Sequence, residues 1–130
     1  MNLANRAVAF IVGSALTAIF IFSYLEYLSL FKPDPWIKIN INNQSSSNVV
    51  RLIVRSQGNE LVHGGINSLS ELTLPFPMSH DGNYKIEFIL DDGKVCESVY
   101  GYVVPGMMTT ELITDIGVSN GLNKSPQQCV

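Results

Sequence analysis

Residues 7–25 contain no charged side chain. As a helix rising 1.5 Å per residue, such a run covers about 28 Å, close to the roughly 30 Å hydrocarbon core of a bilayer. Apolar residues fill 19 of the 25 positions from Ala7 to Phe31. The rest of the chain is only about two-fifths apolar, on the low side for a globular domain. A buried helix of a soluble protein would need a polar face toward water, and this run has none. A cleavable export peptide would have a shorter apolar core and a small residue where Leu16 precedes a cut after Ala18. No cysteine is placed for lipid attachment, and no glutamate stands five positions after Gly13, as a pilin-like signal requires. Residues 1–31 are therefore expected to form a retained transmembrane anchor, with Tyr24, Tyr27 and Trp36 at the bilayer interface.

Arg6 and the amino terminus flank one side of the run, and Glu26, Lys32 and Asp34 the other. Positive charge favours the cytoplasmic face. The expected orientation is N-terminus inside and C-terminal domain outside, as in a bacterial inner membrane facing the periplasm. Ala9, Gly13 and Thr17 recur at four-residue spacing. Small residues on one stripe let another helix approach closely, so these three are the candidate helix-packing residues.

Lys32-Pro33-Asp34-Pro35 breaks the helix and forms a linker over 32–35. The period then changes from helical to alternating. Ile37, Ile39 and Ile41 alternate with Lys38 and Asn40, and Tyr84, Ile86, Phe88 and Leu90 with Lys85 and Glu87. Turns fall at Gln57-Gly58-Asn59, Asp81-Gly82-Asn83, Asp91-Asp92-Gly93 and Pro105-Gly106, the last fitting the central pair of a type II turn. About seven short strands over 36–116, with no second helix, predict an all-β, antiparallel sandwich of immunoglobulin-like class. Residues 117–130 read as a tail.

Strand alternation also sorts the loops. Loops 42–48, 64–68 and 91–93 fall at the end far from the start of the first strand. Loops 57–59, 75–82 and 105–108 return to the near end. The far end is Asn, Ser, Gly and Asp, whereas the near end holds Phe76, Met78, Met107 and Met108. Methionine suits adaptable binding surfaces, so these four are the candidate partner-binding loop residues. The bland alternative is that they turn inward and plug the end of the sandwich.

Cys96 and Cys129 are the two cysteines. In an oxidising compartment they are a candidate disulfide, closing a loop of about 30 residues and stabilising by roughly 3–4 kcal/mol. The competing reading leaves Cys96 as a lone buried thiol, because residues near a terminus are often disordered. His63 and His80 lack the spacing of a zinc site, and Asp91-Asp92 lacks the oxygen series of a calcium loop. No nucleophile elbow or phosphate-cradling glycine loop is present. No catalytic residue, metal or cofactor is expected, and no small-molecule substrate is evident. With 8 basic against 11 acidic residues, nucleic acid is not an expected partner. Asn43-Gln44-Ser45 and Asn123-Lys124-Ser125 match the glycosylation sequon, which matters only along a eukaryotic secretory route.

The expected function is that of a non-enzymatic accessory or assembly subunit. It would bind a larger integral membrane complex through its helix and near-end loops, with the lipid bilayer as second partner. The alternative is a tethered inhibitor or immunity-type protein that meets a toxin or enzyme with its far-end loops.

Overall fold

A computed structural model describes residues 2–30 and 34–130. Phe31, Lys32 and Pro33, which the sequence reading assigns to the anchor's end and the linker, lie outside the described residues. The chain divides into two units, residues 1–33 and 34–130.

The first unit is helix α1, Leu3–Leu30, whose 28 residues extend about 42 Å. None of its residues is buried. It is long and apolar enough to cross a membrane. Three of its hydroxyls turn back onto their own helix: Ser14 Oγ donates to the carbonyls of Phe10 and Ile11, Thr17 Oγ1 to Gly13, and Ser29 Oγ to Glu26, which satisfies them without water.

The second unit is mostly β. Its strands are β1 (Trp36–Asn43), β2 (Val49–Ser56), β3 (Asn59–His63), β4 (Ser70–Pro77), β5 (Gly82–Leu90), β6 (Val95–Val103), β7 (Met108–Thr114) and β8 (Gly117–Asn120). They form two four-stranded sheets, in the orders β4-β1-β7-β8 and β3-β2-β5-β6. Neighbouring strands are antiparallel except β1 and β7, which run parallel with Lys38 opposite Met108. Ile37, Ile39 and Ile41 from one sheet and Leu52, Val54, Tyr84, Ile86 and Phe88 from the other are buried in one shared core. The alternating period puts them there, since every second side chain of a strand points to the same face.

The turns follow local backbone chemistry. Gln57 and Gly58 both have positive φ, 51° and 75°, the combination that joins two twisted antiparallel strands. Gly106 has φ 87°, and the Met107 N–H donates to the Val104 carbonyl across Pro105-Gly106, closing the expected type II turn.

The C-terminal segment differs from the sequence expectation. Among the described residues there are eight strands, because the expected tail 117–130 contains β8 and then a strap. The strap's Gln127 exchanges backbone hydrogen bonds with Val118 of β8, and Val130 does the same with Val95 of β6. Both β6 and β8 are outermost in their sheets, so the strap satisfies edge groups on each. A Cβ at Gly117 would collide with the Gln127 carbonyl, so this approach requires glycine. The remaining edge of the first sheet is β4, which carries Pro75 and Pro77 and is thereby poorly suited to further pairing.

Candidate functional site

The strand directions put the beginning of β1, the end of β4 and the beginning of β7 at one end of the domain. Trp36 lies opposite Pro77, and Lys38 opposite Met108. Backbone bonds knit this near end: Met78 N–H to the Pro35 carbonyl, Gly106 N–H to Trp36 and Lys38 N–H to Met107. Gln57 adds a side-chain tie, donating from Nε2 to the His80 carbonyl and accepting from the Ser79 N–H at Oε1.

The four candidate loop residues separate here. Phe76 and Met78 are completely buried, and Met107 packs against the core, while Met108 stays 60% exposed. Three of the four thus plug the end of the domain instead of forming a rim. The cause is strand parity for Phe76, which follows Leu74 on the inward side of β4. For Met78 it is the backbone bond to Pro35, which pulls the residue beyond β4 over the core. Trp36, which the sequence reading places at the bilayer interface, is 45% exposed beside this end.

The far end is held by a different chemistry. Asn43 is fully buried, and its Nδ2 donates to the carbonyls of Ser47 (2.9 Å) and Asn67 (3.1 Å). Its Oδ1 accepts from the Ser45 N–H and hydroxyl. That burial removes the Asn43 sequon as an accessible acceptor. Ser46 donates both N–H and hydroxyl to Asp115 Oδ1, which holds the Asp115 carboxyl below its ordinary range. Asp92 is likewise lowered, by the Lys94 N–H and then by the Lys94 ammonium, 3.2 Å away. Between these groups lies an open depression of about 460 Å³, lined by Ser46, Asp92, Lys94, Thr114, Asp115 and Gln128 among others. Leu69 and Ile116, 81% and 69% exposed, stand at the same end.

Cys96 and Cys129 form a disulfide that spans 33 residues of sequence. Cys96 belongs to the core, and Cys129 packs against it while also lining the depression. The bond fixes the strap to β6.

A further polar cluster escaped the sequence reading. Glu111 on β7 is fully buried. Its Oε1 accepts from Tyr84 Oη and its Oε2 from Ser98 Oγ, each at 2.8 Å. Asn120 Nδ2 donates to Ser98 Oγ, and Tyr84 Oη also meets Thr109 Oγ1 at 2.8 Å. Burial pushes the Glu111 carboxyl up to about 6, against the hydrogen bonds from Ser98, Tyr84 and Asn120 that favour its charge. The Tyr84 phenol is also raised, first by burial and then by the neighbouring carboxylate. The cluster joins β7 and β8 of one sheet to β5 and β6 of the other, so its geometry is that of an inter-sheet clasp. Parity was a signal for Ser98, which shares the inward side of β6 with Cys96 and Tyr100; Glu111 shares that of β7 with Ile113, but the adjacent Leu112 leaves that parity open in the sequence.

Among the described residues, no group of three or more His, Cys, Asp and Glu is arranged to hold a metal ion. His63 ends β3 at the far end, and His80 lies in the near-end loop. Ala9, Gly13 and Thr17 are exposed along α1.

No family model and no curated protein matches this chain. Among solved structures, an NMR structure of a protein from Eubacterium rectale is similar, with 16% sequence identity and a TM-score of 0.58 over 67% of this chain and 89% of that one. At that identity the likeness concerns the fold alone.

Proposed function

We propose that this chain is a single-pass membrane protein whose β domain lies outside the cytoplasm and which serves as a non-enzymatic accessory or assembly subunit of a larger membrane complex. The observation that carries the reading is the contrast in burial between the two units. The β domain builds a continuous core from its own two sheets, while α1 exposes apolar side chains all round and none is buried. Such a helix finds its environment outside the chain, in lipid and against other helices. Ala9, Gly13 and Thr17 are the stripe for a partner helix. Anchoring restricts the domain to two dimensions and raises its effective concentration at a membrane partner. The domain is read as an immunoglobulin-like sandwich because the chain crosses repeatedly between two sheets that share one core; its strand order is its own.

Replacing residues 7–25 by an unrelated apolar helix and purifying the full chain in mild detergent tests the proposal. Partner proteins recovered with the natural helix are expected to be lost. Their unchanged recovery would make the helix a simple tether. That result would favour the second reading, an inhibitor or immunity-type protein, which the far-end depression with exposed Leu69 and Ile116 supports.

A further inference from the structure

The outer face of the first sheet is graded along its strands. Inward side chains of β1 and β7 are Ile37, Ile39, Ile41, Thr109, Glu111 and Ile113, all buried, so the intervening residues point outward. At the near end Pro77 lies opposite Trp36, and the next row is Pro75, Lys38 and Met108 across β4, β1 and β7. The following row is Thr73, Asn40 and Thr110, with Thr73 Oγ1 donating to Asn40 Oδ1. The row nearest the far end is Glu71, Asn42 and Leu112. The face thus runs from aromatic, proline, methionine and lysine to amide, hydroxyl and carboxylate within one sheet, with the half-buried Leu112 the one apolar side chain of the far rows.

We infer that the near half of this face, centred on Trp36, Lys38 and Met108, is a contact surface for the headgroup region of a lipid bilayer. A tryptophan with an apolar body and a polar N–H, a lysine with a long apolar stem, and an exposed methionine are the side chains that settle where water gives way to acyl chain. A protein partner would not by itself require a gradient along the strand axis, whereas a bilayer surface changes polarity in one direction only. Chain continuity supplies the occupant. Trp36 follows Leu30 of α1 by six residues, a reach of about 20 Å at full extension, so a bilayer holding α1 keeps this end within range. The inference therefore rests on α1 crossing a membrane. Asp34, near Gly106 at the rim, offsets Lys38, so the contact depends on Trp36 and Met108 more than on anionic lipid.

The test uses the full chain in nanodiscs of phosphatidylcholine and phosphatidylglycerol, one chain per disc, with the native disulfide oxidised. A nitroxide is attached at Met108→Cys or, as the far-end reference, at Ile116→Cys; both positions are exposed. The label at 108 is expected to be several-fold less accessible to an aqueous nickel chelate than that at 116, and more accessible to dissolved oxygen. Emission from the sole tryptophan, Trp36, is expected to be quenched by lipids brominated near the headgroup. Equal chelate access at 108 and 116 would overturn the inference. So would protection at 108 seen only with two chains per disc, which would make a second copy the occupant. The discs hold no other protein, so this result is separate from the partner capture that tests the proposed function.

Discussion

The two ends of the β domain close by opposite means. The near end is capped by apolar side chains that turn inward, with Phe76 and Met78 completely buried. The far end is capped by polar side chains that turn inward, with Asn43 and Ser45 at 0% and 1% exposure. Residue chemistry alone suggests a greasy rim at one end and a solvated fringe at the other. Instead each end turns its capping side chains inward, one by excluding water and the other by replacing it with amide, hydroxyl and carbonyl partners, and leaves Trp36 and Met108 exposed at the near end and Leu69 and Ile116 at the far end.

The sharpest way to break that contrast is to hollow the near end. Phe76→Ala is expected to destabilise the domain by about 4 kcal/mol, through lost transfer energy and a residual cavity. Met108→Ser is expected to stay within about 0.5 kcal/mol, because its side chain is exposed. Urea unfolding of the full chain in detergent, followed through Trp36, compares the two. Equal effects would mean that burial does not separate them.

Opening the Cys96–Cys129 bond comes next in size. A closed loop of 33 residues predicts a loss of about 4 kcal/mol in the chain-entropy model, at the upper part of the usual range. Cys129→Ser should also raise amide hydrogen exchange at Val95 and Val118, whose N–H groups donate to the strap. Unaltered exchange there would show that the strap holds without its covalent tie.

At the far end, Asn43→Ala removes both acceptor and donor from a buried network of four hydrogen bonds. A loss of about 2–3 kcal/mol is expected, since the Ser45 hydroxyl loses its nearest partner. A change below about 0.5 kcal/mol, typical of a surface position, would return this end to the solvated picture.

The smallest effect concerns the clasp between the sheets and carries a pH signature. The folded-state value for Glu111 is raised to about 6, above the ordinary carboxyl range, so the folded protein holds a proton that the unfolded chain releases. This contribution is complete below the unfolded value, declines as pH rises through about 6, and is flat above. Its size is about 2 kcal/mol. Glu111→Gln should remove that slope between pH 4 and 7. Tyr84, Ser98, Thr109 and Asn120 surround the carboxyl; the Tyr84 phenol is raised from its ordinary value, and Ser98, Thr109 and Asn120 carry no group that titrates in the window. An identical slope in the variant would assign it to another group.

How much of this was legible follows from parity. Ile37, Ile39 and Ile41, or Tyr84, Ile86 and Phe88, leave one assignment of faces, and their burial follows the pattern. On β7 the adjacent Leu112 and Ile113 satisfy either parity, so nothing local marks Glu111 as inward. Its partners Tyr84 and Ser98 lie on different strands, and only the tertiary arrangement brings them together. Asn43 was misleading for a related reason: Asn in a polar run signals a turn, while its burial depends on Ser47 and Asn67 converging from two loops. β8 is only four residues long and finds its partner in β7, so a polar C-terminal stretch reads as tail until the sheet exists.

The parallel pairing of β1 with β7 has a consequence for the time course of folding. The second sheet contains two hairpins, β2–β3 and β5–β6, whose contacts are local and form early. β1 is flanked by β4 on one side and by β7, about 70 residues further along the chain, on the other. An isoleucine-rich strand therefore emerges early in synthesis with an unpaired edge that stays open until most of the domain has been made. During that interval it is the segment most exposed to wrong pairing with a neighbouring chain, and a chaperone that shields extended apolar strands would act there.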